Sequence, residues 1–185
     1  MTTNPFDILG LPVRYDLDQT EIEQAYLARI ARSHPDLAQG ADQAADQDAD
    51  RAADQAWADP SALNEARAAL LDPAGRARAV LAVRAPGVQT PPLAPEFLAE
   101  IMDVREQAEQ AVQAGDRQAV ERWRRWAADR RSDLASRLGI LLEGQGPLAS
   151  DRATEAAGLL QQWRYFERML EQVGIPQGSD RTPTR

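Results

Sequence analysis

The sequence contains no cysteine, no lysine and a single histidine, His34. Without cysteine, the chain alone cannot form a disulfide, supply a thiol nucleophile or hold zinc or an iron–sulfur cluster through thiolates. One histidine permits Ser-His-Asp catalysis in principle, but it does not permit a multi-histidine metal site. A glycine-rich phosphate loop is also missing. These absences argue against an enzyme, and we expect neither a metal nor a cofactor in this chain.

Long apolar segments are absent as well. No stretch approaches the roughly 20 apolar residues that span a membrane. The N-terminus, MTTNPFDILG, lacks the basic and then apolar pattern of a signal peptide. We therefore expect a cytoplasmic protein with no membrane partner. Apolar residues make up 43% of the chain and charged residues 27%, a composition typical of one or two small globular domains.

Charge is distributed unevenly along the chain. The formal net charge is −8, and all 21 basic residues are arginine. Residues 37–60 contain six aspartates against one arginine and repeat the sequence AADQ without an apolar face, so we predict a solvated loop there. The negative charge argues against nucleic acid as a partner. Arginines also cluster around Trp123 and Trp126, but acidic residues interleave with them, which favours an ordinary solvated helix face.

Helix caps divide the first 84 residues into four helices. The signals are Asn4-Pro5 with a stop at Gly10, a cap at Asp18 or Thr20, and Asp-Pro pairs at 59–60 and 72–73. They predict a short helix after Asn4, a second helix to about Ser33, a third from Pro60 to about Leu71, and a further short segment from Arg76 to Val83.

The second helix runs into the tripeptide His34-Pro35-Asp36. Pro35 has no backbone N–H and disfavours the α conformation of the residue before it, so the helix must end about here. An imidazole and a carboxylate are thereby presented side by side. Arg29 and Arg32 are predicted to lie on a face different from the apolar stripe, which consists of Ile22, Tyr26 and Ile30.

Residues 85–95 contain four prolines and are predicted to be a semi-rigid linker. Three long amphipathic patterns follow, separated by short loops, which is typical of a three-helix bundle. Their predicted spans are 96–114, 116–142 and 151–173, and residues 175–185 are expected to be a frayed tail. The predicted core residues are Phe97, Ile101, Val104, Ala108, Ala111, Val120, Trp123, Ala127, Leu134, Leu138, Leu141, Leu159, Trp163, Phe166, Leu170 and Val173.

Several of these segments resemble a known family. NPFDILGLP, YLARIARSHPD and ALNEARAALLDPAGRARAVL resemble the first, second and third helices of a J-domain, over residues 4–84. FLAEIMDVRE and WRYFERML resemble the C-terminal bundle of the HscB family of co-chaperones, which serve iron–sulfur cluster assembly. The resemblance implies an all-α protein made of a J-domain (1–84), a linker (85–95), an HscB-like three-helix bundle (96–174) and a disordered tail (175–185).

The resemblance implies two partners and no enzymatic activity. His34, Pro35 and Asp36 would stimulate the ATPase of a DnaK/HscA-type chaperone, with Arg29 and Arg32 providing a basic docking face. The bundle would bind an IscU-type cluster scaffold protein. By position, the scaffold-binding residues would be Leu98, Met102, Asp103, Glu106, Arg164 and Tyr165.

The helical pattern supports this bundle surface independently of the resemblance. Leu98 and Met102 are four residues apart and displaced by roughly 100° from the Phe97/Ile101 stripe. Tyr165 and Met169 are displaced similarly on the last helix. A three-helix bundle needs one stripe per helix, so this surplus apolar surface suits a partner site.

Other interpretations remain open at this point. Leu37 stands where the family usually has lysine, and Ala99 and Ile101 also depart from its pattern. The chain is alternatively a general J-domain co-chaperone for another client, or an interaction protein with a silent J-domain. An enzyme that uses Asp36 and His34 as an acid–base pair is a more distant alternative. We expect a monomer.

Overall fold

The computed structural model describes residues 4–33 and 59–173. These residues form seven α-helices and no strand, which confirms the all-α prediction for the described part of the chain. None of the helices there is long and apolar enough to cross a membrane. The helices are α1 (Pro5–Leu9), α2 (Gln19–Ser33), α3 (Pro60–Leu71), α4 (Pro73–Arg84), α5 (Pro95–Gln113), α6 (Arg117–Leu141) and α7 (Ser150–Val173).

The chain divides into two compact units. The first comprises Met1–Gly87 together with Leu142–Leu148, and the second comprises Val88–Leu141 together with Ala149–Arg185. The first unit therefore contains α1 to α4, and the second contains α5 to α7. The predicted acidic loop and the predicted tail fall largely on residues 34–58 and 174–185, which lie outside the described residues.

The first two helices begin at the predicted caps. The Asn4 side chain accepts hydrogen bonds from the backbone N–H groups of Phe6 and Asp7 at 3.0 and 3.1 Å. At the start of α2, Asp18 Oδ1 accepts from the N–H of Thr20 at 3.3 Å, and the carboxylate of Glu21 accepts from the N–H of Asp18 at 3.2 Å. This reciprocal pattern is a capping box, so Asp18 is the cap of α2.

A single carboxylate joins α3 to α4. Asp72 ends α3, and its Oδ2 accepts a hydrogen bond of 2.7 Å from the N–H of Gly75. Pro73 takes the first position of α4, where its missing N–H costs nothing. The fourth helix consequently begins at Pro73 and not at Arg76. The prediction of a short segment from Arg76 to Val83 was therefore wrong at its start.

Apolar packing and cross-helix polar contacts hold the first unit together. The Tyr26 hydroxyl donates to Asn64 Oδ1 at 2.8 Å, and Arg67 donates to both carboxylate oxygens of Glu23 at 2.7 and 2.5 Å. These two contacts join α2 to α3. The fully buried side chains of this unit include Phe6, Ile22, Leu63, Leu70 and Val80.

A buried arginine holds residues 142–148 within the first unit. Arg84 is 7% exposed, and its guanidinium donates to the carbonyl oxygens of Leu142 at 2.6 Å and Gly146 at 2.7 Å. In return, the N–H of Leu148 donates to the Arg84 carbonyl at 3.0 Å. Three carbonyl groups of this segment, including that of Glu143, face the guanidinium. Their oxygens compensate for the burial of its charge.

The bundle helices lie within two residues of their predicted bounds. The predicted core residues Ile101, Ala108, Leu138 and Phe166 are each at most 3% exposed. Met169 is also 3% exposed and belongs to this core, so the prediction that it contributes surplus surface was wrong. Three aromatic rings pack edge to face nearby: the Trp123 and Trp126 centroids are 5.8 Å apart, and those of Trp126 and Phe166 are 5.3 Å apart.

Candidate partner-binding surfaces

The two arginines predicted to form a docking face on α2 have different environments. Arg32 is exposed. Arg29 is partly buried, and its guanidinium lies 2.7 Å from the position that a Cβ on Gly10 would occupy. Arg29 is seven residues from Ile22, which brings it back to within roughly 20° of the apolar stripe. The prediction that Arg29 lies on a different face was therefore wrong.

The acidic residues of α2 are engaged within the first unit. Arg14 pairs with Glu21 at 2.6 Å, and Arg67 pairs with Glu23 at 2.5 Å. The hydrogen bonds from Arg67 hold the pKa of the Glu23 carboxyl below its ordinary value. These carboxylates therefore stabilise the fold by contacts that also reduce their availability to a partner.

The outward side of α2 contains a residue that sequence reasoning missed. Leu27 is 60% exposed, and it lies roughly 140° from Ile22 around the helix. The sequence contains a signal for this exposure, because Leu27 is a large aliphatic residue at a polar position of the helix, away from the apolar stripe. Its neighbours on this side, Gln24, Ala28 and Ala31, are also exposed.

His34, Pro35 and Asp36 lie outside the described residues. The last described residue of α2 is Ser33, so the tripeptide directly follows a helix in the sequence. Its docking role stays a prediction.

An exposed apolar patch lies on α5 and α7 of the second unit. Met102 is 68% exposed, Tyr165 is 41% exposed, and Leu98 is partly buried. The rings of Phe97 and Tyr165 pack edge to face with centroids 6.3 Å apart, which joins the two helices beneath the patch. The structure thus places Leu98 and Met102 on successive turns of α5 and fixes Tyr165 against the same helix.

Charged side chains accompany this patch. Asp103, Glu106 and Arg164 are all exposed. Glu106 accepts a hydrogen bond of 3.3 Å from the Gln110 side chain. Beside it, Arg105 donates to Glu109 at 2.8 Å, and this contact raises the pKa of the Arg105 guanidinium. The patch therefore combines thioether, aliphatic and aromatic surface with carboxylates. Neither unit offers, within the described residues, a cluster of three side chains that would hold a metal ion.

Comparisons with known proteins agree with this architecture. Residues 93–174 match the family model described as the HSCB C-terminal oligomerisation domain. HscB co-chaperone homologs of Burkholderia multivorans and Burkholderia cenocepacia are each 31% identical over 172 residues, covering 91% of this chain and 91% of the relative.

Two solved structures share the fold. Chaperone HscB from Vibrio cholerae superposes with a TM-score of 0.61 at 24% identity, covering 93% of this chain and 96% of that one. Human co-chaperone HscB superposes with a TM-score of 0.67 at 19% identity, covering 94% of this chain and 81% of that one. The chain belongs to the HscB family of co-chaperones. Members of this family are not enzymes, and the family implies an Hsp70-type chaperone as partner.

Proposed function

We propose that this protein binds an IscU-type cluster scaffold protein and stimulates the ATPase of a DnaK/HscA-type chaperone. The observation that carries the proposal is the exposed patch of Leu98, Met102 and Tyr165 on the bundle. The scaffold is held there as a client. The segment His34-Pro35-Asp36 stimulates the chaperone, so that ATP hydrolysis is coupled to client delivery.

The composition of the patch supports a protein partner. Met102 exposes 68% of its surface although it is flanked by a buried apolar core, and its flexible thioether adapts to an opposing surface. Tyr165 offers a rigid ring that is 41% exposed, and tyrosine is enriched among residues that dominate binding energy. Asp103 and Glu106 complement a basic partner and set its orientation. Arg164 lies beside Tyr165 in the sequence and offers a bidentate donor.

Two observations support the J-domain half of the proposal: the family to which the chain belongs, and the helical structure of α2. Members of the family act with an Hsp70-type chaperone. The described part of α2 ends at Ser33, immediately before His34, so a well-formed helix leads into the tripeptide. Catalysis belongs to the chaperone, and this chain contributes binding energy.

The deciding experiment is the steady-state ATPase rate of the cell's DnaK/HscA-type chaperones, measured with and without purified scaffold. Wild type is expected to stimulate the rate, and the scaffold is expected to amplify this. His34→Gln is expected to abolish the stimulation. An equal stimulation of the ATPase rate with and without the scaffold would indicate a co-chaperone for another client. No stimulation of any chaperone would contradict the proposal and indicate a silent J-domain.

Met102→Ser tests the patch directly. We expect it to weaken scaffold binding about tenfold, as truncation of a central interface residue does. Isothermal titration calorimetry measures the dissociation constant. Val112→Ser is the matched control, because Val112 is 40% exposed on the same helix but lies outside the patch. Equal effects of the two substitutions would rule out a scaffold site centred on Met102.

A further inference from the structure

An open groove lies between the C-terminal half of α5 and the N-terminal half of α6. Its volume is about 650 Å³. Its apolar surface is formed by the rings of Trp123 and Trp126, which are partly buried, and by the side chains of Ala111 and Ala119. The two alanines are small and almost fully buried, so they leave room for a ligand above them. The groove therefore combines aromatic walls with a floor of methyl groups.

The groove is distinct from the exposed patch that is proposed to bind the scaffold. Gln107 lines the groove and lies five residues after Met102 in the sequence. At about 100° per residue, the two side chains are roughly 140° apart around α5. A ligand in the groove therefore contacts a different side of the bundle.

The two tryptophans of the groove form a corner with unused hydrogen-bond donors. Their ring planes are at 82° and their centroids are 5.8 Å apart, so the rings stand as two nearly perpendicular walls. The Trp163 indole N–H donates to Glu167, but within the described residues neither Trp123 nor Trp126 donates a hydrogen bond from its indole. Both of these indole nitrogens are accessible to solvent. A ligand that packs against the rings and covers these N–H groups must therefore supply hydrogen-bond acceptors.

The rim of the groove carries an arginine that is available to a ligand. Arg122 is exposed and has no ion pair within the described part of the chain, whereas Arg124 and Arg125 both pair with Glu121. Asp116, the acidic residue of the rim, accepts a hydrogen bond of 2.9 Å from a backbone N–H in the first turn of α6 and caps that helix. The groove therefore complements a ligand that has a negative charge beside its apolar part.

We propose that this groove binds a proline-containing segment of a partner protein, with an acidic residue next to the prolines. A polyproline II helix has no internal hydrogen bonds, so its carbonyl oxygens are free to accept from the indole N–H groups. Its proline rings pack against aromatic walls, and because the helix is already formed before binding, little conformational entropy is lost. Arg122 pairs with the acidic residue and fixes the direction in which the segment lies.

Heteronuclear NMR of the isotopically labelled full chain tests the proposal with the capped peptides PPPPEE, AAAAEE and PPPPRR. PPPPEE is expected to shift the indole N–H signals of Trp123 and Trp126, assigned by single Trp→Phe substitutions. The signal of Trp163 should stay in place, because Trp163 is 3% exposed and already paired. AAAAEE should bind about tenfold more weakly, because it is not preformed as a polyproline II helix. Equal affinity for PPPPEE and AAAAEE overturns the proposal, as does the absence of any shift at both indoles.

Two substitutions test the assigned roles of the groove residues. Trp123→Phe keeps an aromatic ring but removes the donor, and we expect the dissociation constant of PPPPEE to rise about three- to tenfold. Arg122→Gln should raise it about two- to fivefold and remove the preference for PPPPEE over PPPPRR.

Arg125→Gln is the matched control, since Arg125 is an exposed arginine of the same helix that does not line the groove. It should leave the dissociation constant unchanged, and equal effects of Arg122→Gln and Arg125→Gln overturn the proposal. Circular dichroism checks that each variant is folded, and Arg122→Gln decides alone if Trp123→Phe unfolds.

The same signals identify other occupants of the groove. Indole signals that move with protein concentration, without peptide, would assign the groove to a second copy of the chain. Indole signals that move on Pro183→Ala, again without peptide, would assign it to the C-terminal segment of the chain itself. Either result overturns the proposal of a separate partner protein.

Discussion

Gly75 is required by packing and not by backbone conformation. It lies in the first turn of α4, where a Cβ would collide with the carbonyl oxygen of Ala69 and approach Asp72 Oδ2 to 3.1 Å. Replacing glycine by alanine inside a helix normally gains about 1 kcal/mol. Here the collision is with backbone, which cannot move without opening the α3–α4 corner. We expect Gly75→Ala to lower the free energy of unfolding by about 1–3 kcal/mol, as overpacking does, in urea denaturation followed by circular dichroism.

Gly158 provides the matched comparison for Gly75. It is also helical, but a Cβ there would meet only the ring of Pro91, with the Cγ atom at 3.0 Å and the Cδ atom at 3.8 Å. A ring at the edge of a loop yields more easily than a carbonyl oxygen within a helical corner. Gly158→Ala should therefore be close to neutral. Equal destabilisation by both substitutions would show that the collision at Ala69 is not the cause.

Individual residues also show where sequence reasoning failed. The predicted face of Arg29 is wrong, because Arg29 is seven residues, or nearly two full turns, from Ile22. The helical period alone therefore returns it to the Ile22 side. The sequence pattern predicts Met169 as surplus apolar surface, but the space between the helices accommodates it beside Leu170. The partners of Arg84 are 58 to 62 residues away in the sequence. Contacts of that range follow from the fold, and no local pattern indicates them.

At the scale of elements, helix bounds were predictable because their signals are local. Asn4, Asp59 and Asp72 are caps in the sequence and in the structure. The bundle stripes were equally visible, because burial repeats with the helical period. The charges left available on α2 were harder to predict, because Glu21 and Glu23 are paired by Arg14, which lies between α1 and α2, and by Arg67 of α3. His34, Pro35 and Asp36 lie outside the described ranges, so the structure does not test that part of the site.

The α2–α3 pairing makes stability depend on pH. Arg67 holds the pKa of Glu23 below its ordinary value of 4.5. The unfolded chain therefore binds a proton at Glu23 more readily than the folded chain. The stabilisation is present above about pH 4.5 and is lost as pH falls through the folded pKa. We expect Glu23→Gln to cost about 0.2–1 kcal/mol at pH 7, as half-exposed pairs do, and less at pH 3, measured by urea denaturation.

Glu65→Gln is the control for this pH dependence. Glu65 lies on α3, is exposed and has no ion pair among the described residues. Its substitution removes a carboxylate from α3 without breaking the pair between Arg67 and Glu23. If the difference between wild type and Glu23→Gln stays constant down to pH 3, the pair with Arg67 is not the source of the acid sensitivity.

For the whole molecule, we predict a monomer. The C-terminal half matches a family model described as an oligomerisation domain, but its exposed apolar surface in the described residues is confined to a few side chains such as Met102 and Ile140. Stable homodimers bury larger and more apolar areas. Sedimentation equilibrium over a hundredfold concentration range should give one species of monomer mass. A concentration-dependent rise that Met102→Ser removes would instead assign the patch to self-association.

The tryptophans of the bundle also provide an intrinsic optical probe of how its helices pack. Trp123 and Trp126 lie with their ring planes at 82°, Trp126 lies beside Phe166, and the Trp163 indole N–H donates to Glu167 at 2.6 Å. Indoles at this separation couple their electronic transitions and give a near-ultraviolet dichroic signal that vanishes when the rings separate. Three of the four tryptophans therefore make ultraviolet absorption and emission a readout of α6 and α7. A scaffold that docks on the bundle can be followed optically without attaching a dye.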